Sequence, residues 1–156
     1  MPVTRRRTSS QLASIQPQLS VRGGLAALAF YRLAFGAEVI YQVGGTPENQ
    51  SVVAQMSVDG ASFWVADESP EHANFSPESV GGSTTRMLLI VADPRAAIDR
   101  AVAAGASLVF PATNEHGWLL GRIRDPFGHH WEIGKPLEPW PPGRASHGPS
   151  PLADAL

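Results

Sequence analysis

Three landmarks recur in the same order about seventy positions apart in this chain. Val21 closes a strand-like run and Gly36-Ala37 closes the helical run after it; Val91 and Gly105-Ala106 do the same further on. Gly60 precedes the last strand of the first stretch, and Gly128 that of the second. Each stretch reads strand, helix, strand, hairpin. At 156 residues the chain can bury one good core but is too short for two ordinary domains. Neither half has enough apolar residues to stand alone. The repeat therefore predicts an α+β fold of two tandem βαβββ modules, with helices packed on a shared, curled mixed sheet around a cleft. The competing reading, an ordinary α+β domain with accidental symmetry, has to explain three landmarks in register.

Local signals fill in the modules. Residues 1–14, with Arg5-Arg6-Arg7, are polar and aperiodic and read as a flexible basic tail. In the first module, 15–67, residues 15–21 read as a strand that Pro17 confines to an edge or a start. Leu25, Leu28, Ala29, Tyr31, Arg32 and Phe35 follow at helical spacing. Residues 39–43 form the next strand, and 51–58 and 62–66 a hairpin around Asp59-Gly60. The polar stretch 68–83 is long for a loop inside a compact domain, as linkers and site lids are. In the second module, 84–135, residues 86–91 (Arg-Met-Leu-Leu-Ile-Val) read as a buried strand. Asp93 caps a helix with Pro94 in its first position and Ala97, Ile98, Ala101 and Val102 as its inner stripe. Residues 108–110, 118–124 and 129–133 are three more strands. The segment 136–156 holds six of the chain's 14 prolines and reads as a flexible tail.

Composition removes several function classes. A net charge of -2 with 17% charged residues gives no reason to expect nucleic acid. With no cysteine there is no disulfide, thiolate nucleophile or thiolate metal site, which suits a cytoplasmic protein. No apolar run approaches the ~20 residues of a membrane span. No Ser-His-Asp constellation is recognisable, and Gly23-Gly24, Gly44-Gly45 and Gly81-Gly82 lack the spacing and Lys of a phosphate loop.

The stretch Asp125-Pro126-Phe127-Gly128-His129-His130-Trp131-Glu132-Ile133 carries the densest chemistry. A turn signal runs straight into a strand whose residues alternate between two faces. His129, Trp131 and Ile133 share one face; His130 and Glu132 share the other. An ionisable pair on a strand face is either solvated or aimed into a cavity.

Together with Leu28-Ala29-Phe30-Tyr31, Phe35-Gly36-Ala37-Glu38 and Ala101-Val102-Ala103-Ala104-Gly105-Ala106, this stretch resembles the vicinal oxygen chelate superfamily. That superfamily includes glyoxalase I, bleomycin-resistance proteins, fosfomycin-resistance enzymes and extradiol dioxygenases. The similarity covers about residues 14–135 and is greatest to the PhnB-like branch. It implies paired βαβββ units around a cleft, a homodimer, and, in the enzymes, a divalent metal held from the first and last strands of each unit. The duplication places Gln16, Trp64, Arg86 and Glu132 at those four positions.

Gln16 and Glu132 are hard oxygen donors, but Arg86 is a permanent cation and Trp64 offers only an N–H. Two readings follow. In the first, the protein binds a small organic molecule without a complete metal site, as the resemblance to bleomycin-resistance proteins allows. The cleft is then lined by Gln16, Gln55, Trp64, Arg86, Trp118, His130 and Glu132, and Arg86 supplies the counter-charge to Glu132. In the second, it is a metal-dependent lyase or isomerase of glyoxalase type. Its shifted metal site would use Gln16, His130 and Glu132, with Glu132 as the catalytic group. An interaction module without a ligand is the blander third class. Among the other polar side chains, His116 lies in a turn near the final strands and His72 in the inter-module loop. His129 faces the core side, and Arg122 and Arg124 are solvated or pair with Asp125.

Overall fold

The computed structural model describes residues 13–142, so most of the expected basic tail and most of the proline-rich one fall outside the described residues. The first module runs β1 (Gln18–Val21), α1 (Gly24–Phe35), β2 (Glu38–Gly44), β3 (Val52–Val58) and β4 (Ala61–Asp67). A connection holding a 3-10 turn (Pro70–His72) and a short α-helix, α2 (Pro77–Val80), leads to the second. That module runs β5 (Arg86–Ile90), α3 (Pro94–Ala103), β6 (Ser107–Glu115), β7 (Trp118–Arg124) and β8 (His130–Pro136). The strand orders are β1-β4-β3-β2 and β5-β8-β7-β6, with the first strand of each module parallel to the last. The fold is thus two tandem βαβββ modules. The duplication holds at the level of register: Gln18 pairs with Trp64 as Leu88 pairs with Glu132.

One expectation changes. The modules form two separate four-stranded mixed sheets rather than a single shared ladder. They meet through their helix-covered faces. Tyr31 and Phe35 of α1 pack on Trp131 of the other module with ring centroids 5.5 and 4.7 Å apart, and Phe63 reaches the same indole at 5.4 Å. Arg100 of α3 donates from Nε to the Leu33 carbonyl of α1 at 2.7 Å. The two modules thus share one core, in which Tyr31, Ile123 and Ile133 are fully buried.

Local chemistry accounts for the helix ends. The Asp67 carboxylate accepts from the backbone N–H of Gly24 at 2.9 Å and of Val52 at 2.7 Å, capping α1 from across the module. A Cβ on Gly24 would lie 2.2 Å from Val52 Cγ1, so only glycine fits this junction. Gly36, at φ 65°, stops the same helix with its N–H on the Arg32 carbonyl. Asp93 caps α3 through the Ala96 N–H, as the sequence suggests.

Other expectations need correction. In α1, Leu25, Ala29 and Arg32 face solvent, and the inner stripe runs through Ala27, Leu28, Phe30, Tyr31, Ala34 and Phe35. In α3, Val102 is exposed. Residues 86–91 are not a buried strand: β5 is a sheet edge, and Leu88 and Ile90 are half exposed on its outer side. Strand β6 continues past Phe110 through Pro111, which an edge strand tolerates where the ladder with β7 is irregular. Stretch 68–83 is anchored rather than loose. Glu68 accepts from the Ser76 and Ser79 hydroxyls and pairs with Arg22, while Ser76 is fully buried. The hydroxyl bonds, Ser76 first, hold the Glu68 carboxyl below its usual range.

Candidate functional site

Each sheet turns one face to the common core and the other outward. On the second sheet, Arg86, His130 and Arg124 form one cross-strand row, and Leu88, Glu132 and Arg122 the next. Trp131 and Ile133 alternate with them and are buried in the core, so the outward placement of His130 and Glu132 follows from strand geometry. Arg86 Nε lies 2.9 Å and Arg122 Nη2 2.8 Å from the same oxygen, Glu132 Oε1. The Arg122 guanidinium also lies over the Phe110 ring, 5.2 Å from its centroid. Arg122 was not foreseen as a partner of Glu132. The signal was available, because a hairpin about residues 125–128 sets Arg122 directly opposite Glu132.

His130 stands between Arg86 and Arg124, and its Nδ1 is buried without a hydrogen-bond partner, as is Nε of Arg122. Desolvation first, then the charges of Arg122 and Arg124, hold its pKa below the ordinary imidazole value. Both effects favour the neutral ring.

The matching face of the first sheet is uncharged at its centre. Gln16 Oε1 accepts from Gln55 Nε2 at 2.9 Å and from Trp64 Nε1 at 2.8 Å. Tyr41 packs edge-on to Trp64 with centroids 6.0 Å apart. Gln16, Gln55 and Trp64 are thus one cluster, and Arg86, His130 and Glu132 another. Among the described residues no hydrogen bond or ion pair joins the two. A 400 Å³ hollow beside Arg86 and Glu132 is walled by residues 84–88 and excludes the first cluster.

The remaining candidates are dispersed. Trp118 shares the outer face of β7 but sits at its far end, 5.3 Å from the Trp140 ring. His116 is a turn residue at φ 51°, and His72 is exposed beside Glu71. His129 is buried, with Nε2 2.9 Å from the Ser20 carbonyl at the free edge of β1. Asp125 pairs with neither Arg122 nor Arg124. Its buried carboxylate accepts from Tyr31 Oη, Trp131 Nε1 and the N–H groups of Phe127 and His129.

The donor set does not suit a divalent ion. Among the described residues, no three His, Cys, Asp or Glu side chains converge. Gln16 already accepts two bonds, and two guanidiniums occupy the Glu132 oxygen that faces them.

Paired βαβββ modules with a carboxylate on the last strand of the second define a class of scaffold, and sequence comparison agrees with it. Residues 15–133 match the family model of the Glyoxalase/Bleomycin resistance protein/Dioxygenase superfamily, and the chain belongs to that superfamily. An uncharacterized protein of Mycobacterium bovis is 33% identical over 129 residues, covering 80% of this chain and 84% of its own. The crystal structure of an Arabidopsis thaliana gene product is similar with a TM-score of 0.58 and 29% identity, over 78% of this chain and 96% of that one. A Sphaerobacter thermophilus member of the same superfamily aligns at a TM-score of 0.60 and 21% identity, over 80% and 98% of the two chains, a likeness of fold. Among the described residues no helix is long and apolar enough to cross a membrane.

Proposed function

We propose that this protein binds a small organic molecule, without a metal ion, in a cleft assembled between two copies of the chain. The Gln16–Gln55–Trp64 wall of one copy would face the Arg86–Glu132–Arg122 wall of the other. The observation that carries this reading is the separation of the two clusters. They occupy equivalent positions of the duplicated unit, yet each lies on an outward sheet face and neither touches the other within the chain. The apolar neighbours of both clusters fit a covered surface. Tyr41, Val43 and Val53 are about half exposed beside the first, as are Leu88 and Ile90 beside the second. Aromatic and aliphatic walls supply most of the affinity for a small molecule, and the few polar groups orient it.

Support for metal-free binding comes from Arg86. It stands where the second module would offer a ligand and neutralises Glu132 in the metal's place. The mixed-chain experiment tests the shared cleft. Trp64→Ala and Glu132→Ala chains, each alone, should bind anilinonaphthalene sulfonate poorly. Mixed and reannealed, they should recover part of the wild-type fluorescence, because each heterodimer rebuilds one intact cleft. Full dye binding by a monomer in analytical ultracentrifugation would refute the shared cleft. Stoichiometric nickel, zinc, manganese or iron, lost in Glu132→Ala, would instead support the lyase or isomerase reading.

A further inference from the structure

We propose that the outer face of the second sheet carries a subsite for an oxyanion group at Arg124 and His130, so that the molecule bound there has a carboxylate, phosphate or sulfate. The inference rests on the reading of this face as one wall of a ligand cleft and adds the charge of the ligand.

Three guanidiniums, those of Arg86, Arg122 and Arg124, crowd two adjacent cross-strand rows around a single outward carboxylate, Glu132. Arg86 and Arg122 share that carboxylate, whereas Arg124 forms no ion pair among the described residues. It lines a cavity of about 460 Å³ between α2 and the β7–β8 turn, together with His130, Ser107 and the backbone of Gly81 and Gly82. Two other carboxylates border this space. Asp125 is saturated by four donors of its own core, and Glu78 lies 3.8 Å from Arg22.

The arginines of this face outnumber its outward carboxylate, and Arg124 keeps its donors unspent. A buried polar atom without a partner is costly, and the side chains of this one face hold two, His130 Nδ1 and Arg122 Nε. Arg122 Nε is an obligate donor, and His130 Nδ1 donates when it carries the ring proton. An oxyanion in this cavity accepts from Arg124, and from His130 when the facing nitrogen carries the ring proton, and it balances the arginine excess; a cation or a neutral hydrocarbon does neither. The first sheet makes the contrast, since its equivalent cluster carries no charge, and Gln16 Oε1, Gln55 Nε2 and Trp64 Nε1 are bonded to one another.

The test is a titration of the full chain with inorganic phosphate and, separately, with benzoate, followed by amide shifts in ¹H–¹⁵N NMR. Saturable shifts centred on Ser107, Arg124 and His130 are expected. Tighter phosphate marks a phosphate-type group, and tighter benzoate an organic carboxylate. Arg124→Gln should weaken binding by roughly tenfold. Arg124→Lys should retain part of it, and Arg32→Gln, an exposed arginine on α1, none of the loss. Shifts that do not saturate, that centre elsewhere, or that weaken equally in Arg32→Gln overturn the subsite. Benzamide bound as tightly as benzoate also overturns it while leaving the cleft intact. Saturable phosphate binding at Arg124 in a monomer supports the subsite even where the dye experiment refutes the shared cleft.

Discussion

The two modules share a backbone plan and differ in what they place on it. At equivalent positions the first sheet presents Gln16 and Trp64, and the second Arg86 and Glu132. Both pairs lie outward, and both are held by a third residue on the neighbouring strand, Gln55 in one and Arg122 in the other. The first arrangement is neutral and bonded within itself. The second leaves charge and donors in excess. Duplication thus preserves register while freeing the two copies to diverge in chemistry, and the asymmetry is what a single molecule between two walls can read.

The hairpin turns diverge more sharply than the faces, and there the largest effects are expected. Asp125 and Ser57 both stand just before the turn of their module's last hairpin, although in register Ser57 pairs with Ser62 as Arg124, not Asp125, pairs with His130. Asp125 is buried under α1 and gathers four donors, while Ser57 accepts only from the Gly60 N–H in an exposed turn. Asp125→Ala should cost about 3–5 kcal/mol, because it orphans Tyr31 Oη, Trp131 Nε1 and two backbone N–H groups in the core. Ser57→Ala should cost no more than about 0.5 kcal/mol. Urea denaturation of both variants checks the pair, and equal losses would dissolve the distinction. Burial first, then Asp125, raises the Tyr31 pKa well above the ordinary value of 10.0. The folded state thus favours the neutral phenol. Its contribution is fully present below pH ~10 and is lost as pH rises toward the folded pKa. Tyr31→Phe should remove this alkaline loss from the melting-temperature profile.

Next in size is the contrast between the two clusters. Glu132→Gln leaves two guanidiniums side by side, one of them largely buried. A loss of about 1–2 kcal/mol is expected, after discounting the exposed Arg86. Gln16→Ala removes two neutral bonds at a part-buried site and should cost about 1 kcal/mol or less. Chemical denaturation at low and high salt separates the two: only the Glu132 effect should shrink as ionic strength rises.

How much of this was legible in the chain follows from the range of each signal. Helix ends, the Asp59-Gly60 hairpin and the outward face of His130 and Glu132 are local matters of spacing, and spacing reveals them. So is the equivalence of Gln16 with Arg86 and of Trp64 with Glu132, once two strands are counted in register. The division into two sheets was not legible, because alternation along a strand says which residues share a face and nothing about what lies opposite. The reading of residues 86–91 as buried failed for the same reason. An apolar strand looks alike whether it lies at the centre of one sheet or at the edge of another awaiting cover. Ser76 eluded the sequence because a serine gives no sign that a glutamate eight positions earlier will draw it into the interior.

The smallest expected effect isolates the charge on the second face. His130 has Ser62 as its counterpart in the first module, so only one copy titrates there. Burial holds the imidazole below its ordinary pKa, aided by Arg122 and Arg124 on β7 and Arg86 on β5, and opposed by Asp125. A depressed histidine pKa means that the unfolded chain binds the proton more readily. Stability from this residue is intact above pH ~6.5 and falls as pH drops from there toward the folded pKa. ¹H–¹³C NMR titration should show His130 protonating below ~6.5, and Arg122→Gln should move that midpoint upward. His130→Gln should remove this part of the acid-side loss from the melting profile, while Ser62→Ala leaves it in place. An unchanged midpoint in Arg122→Gln would mean that desolvation alone holds the ring neutral, and the contrast between the two faces would then owe less to their charges.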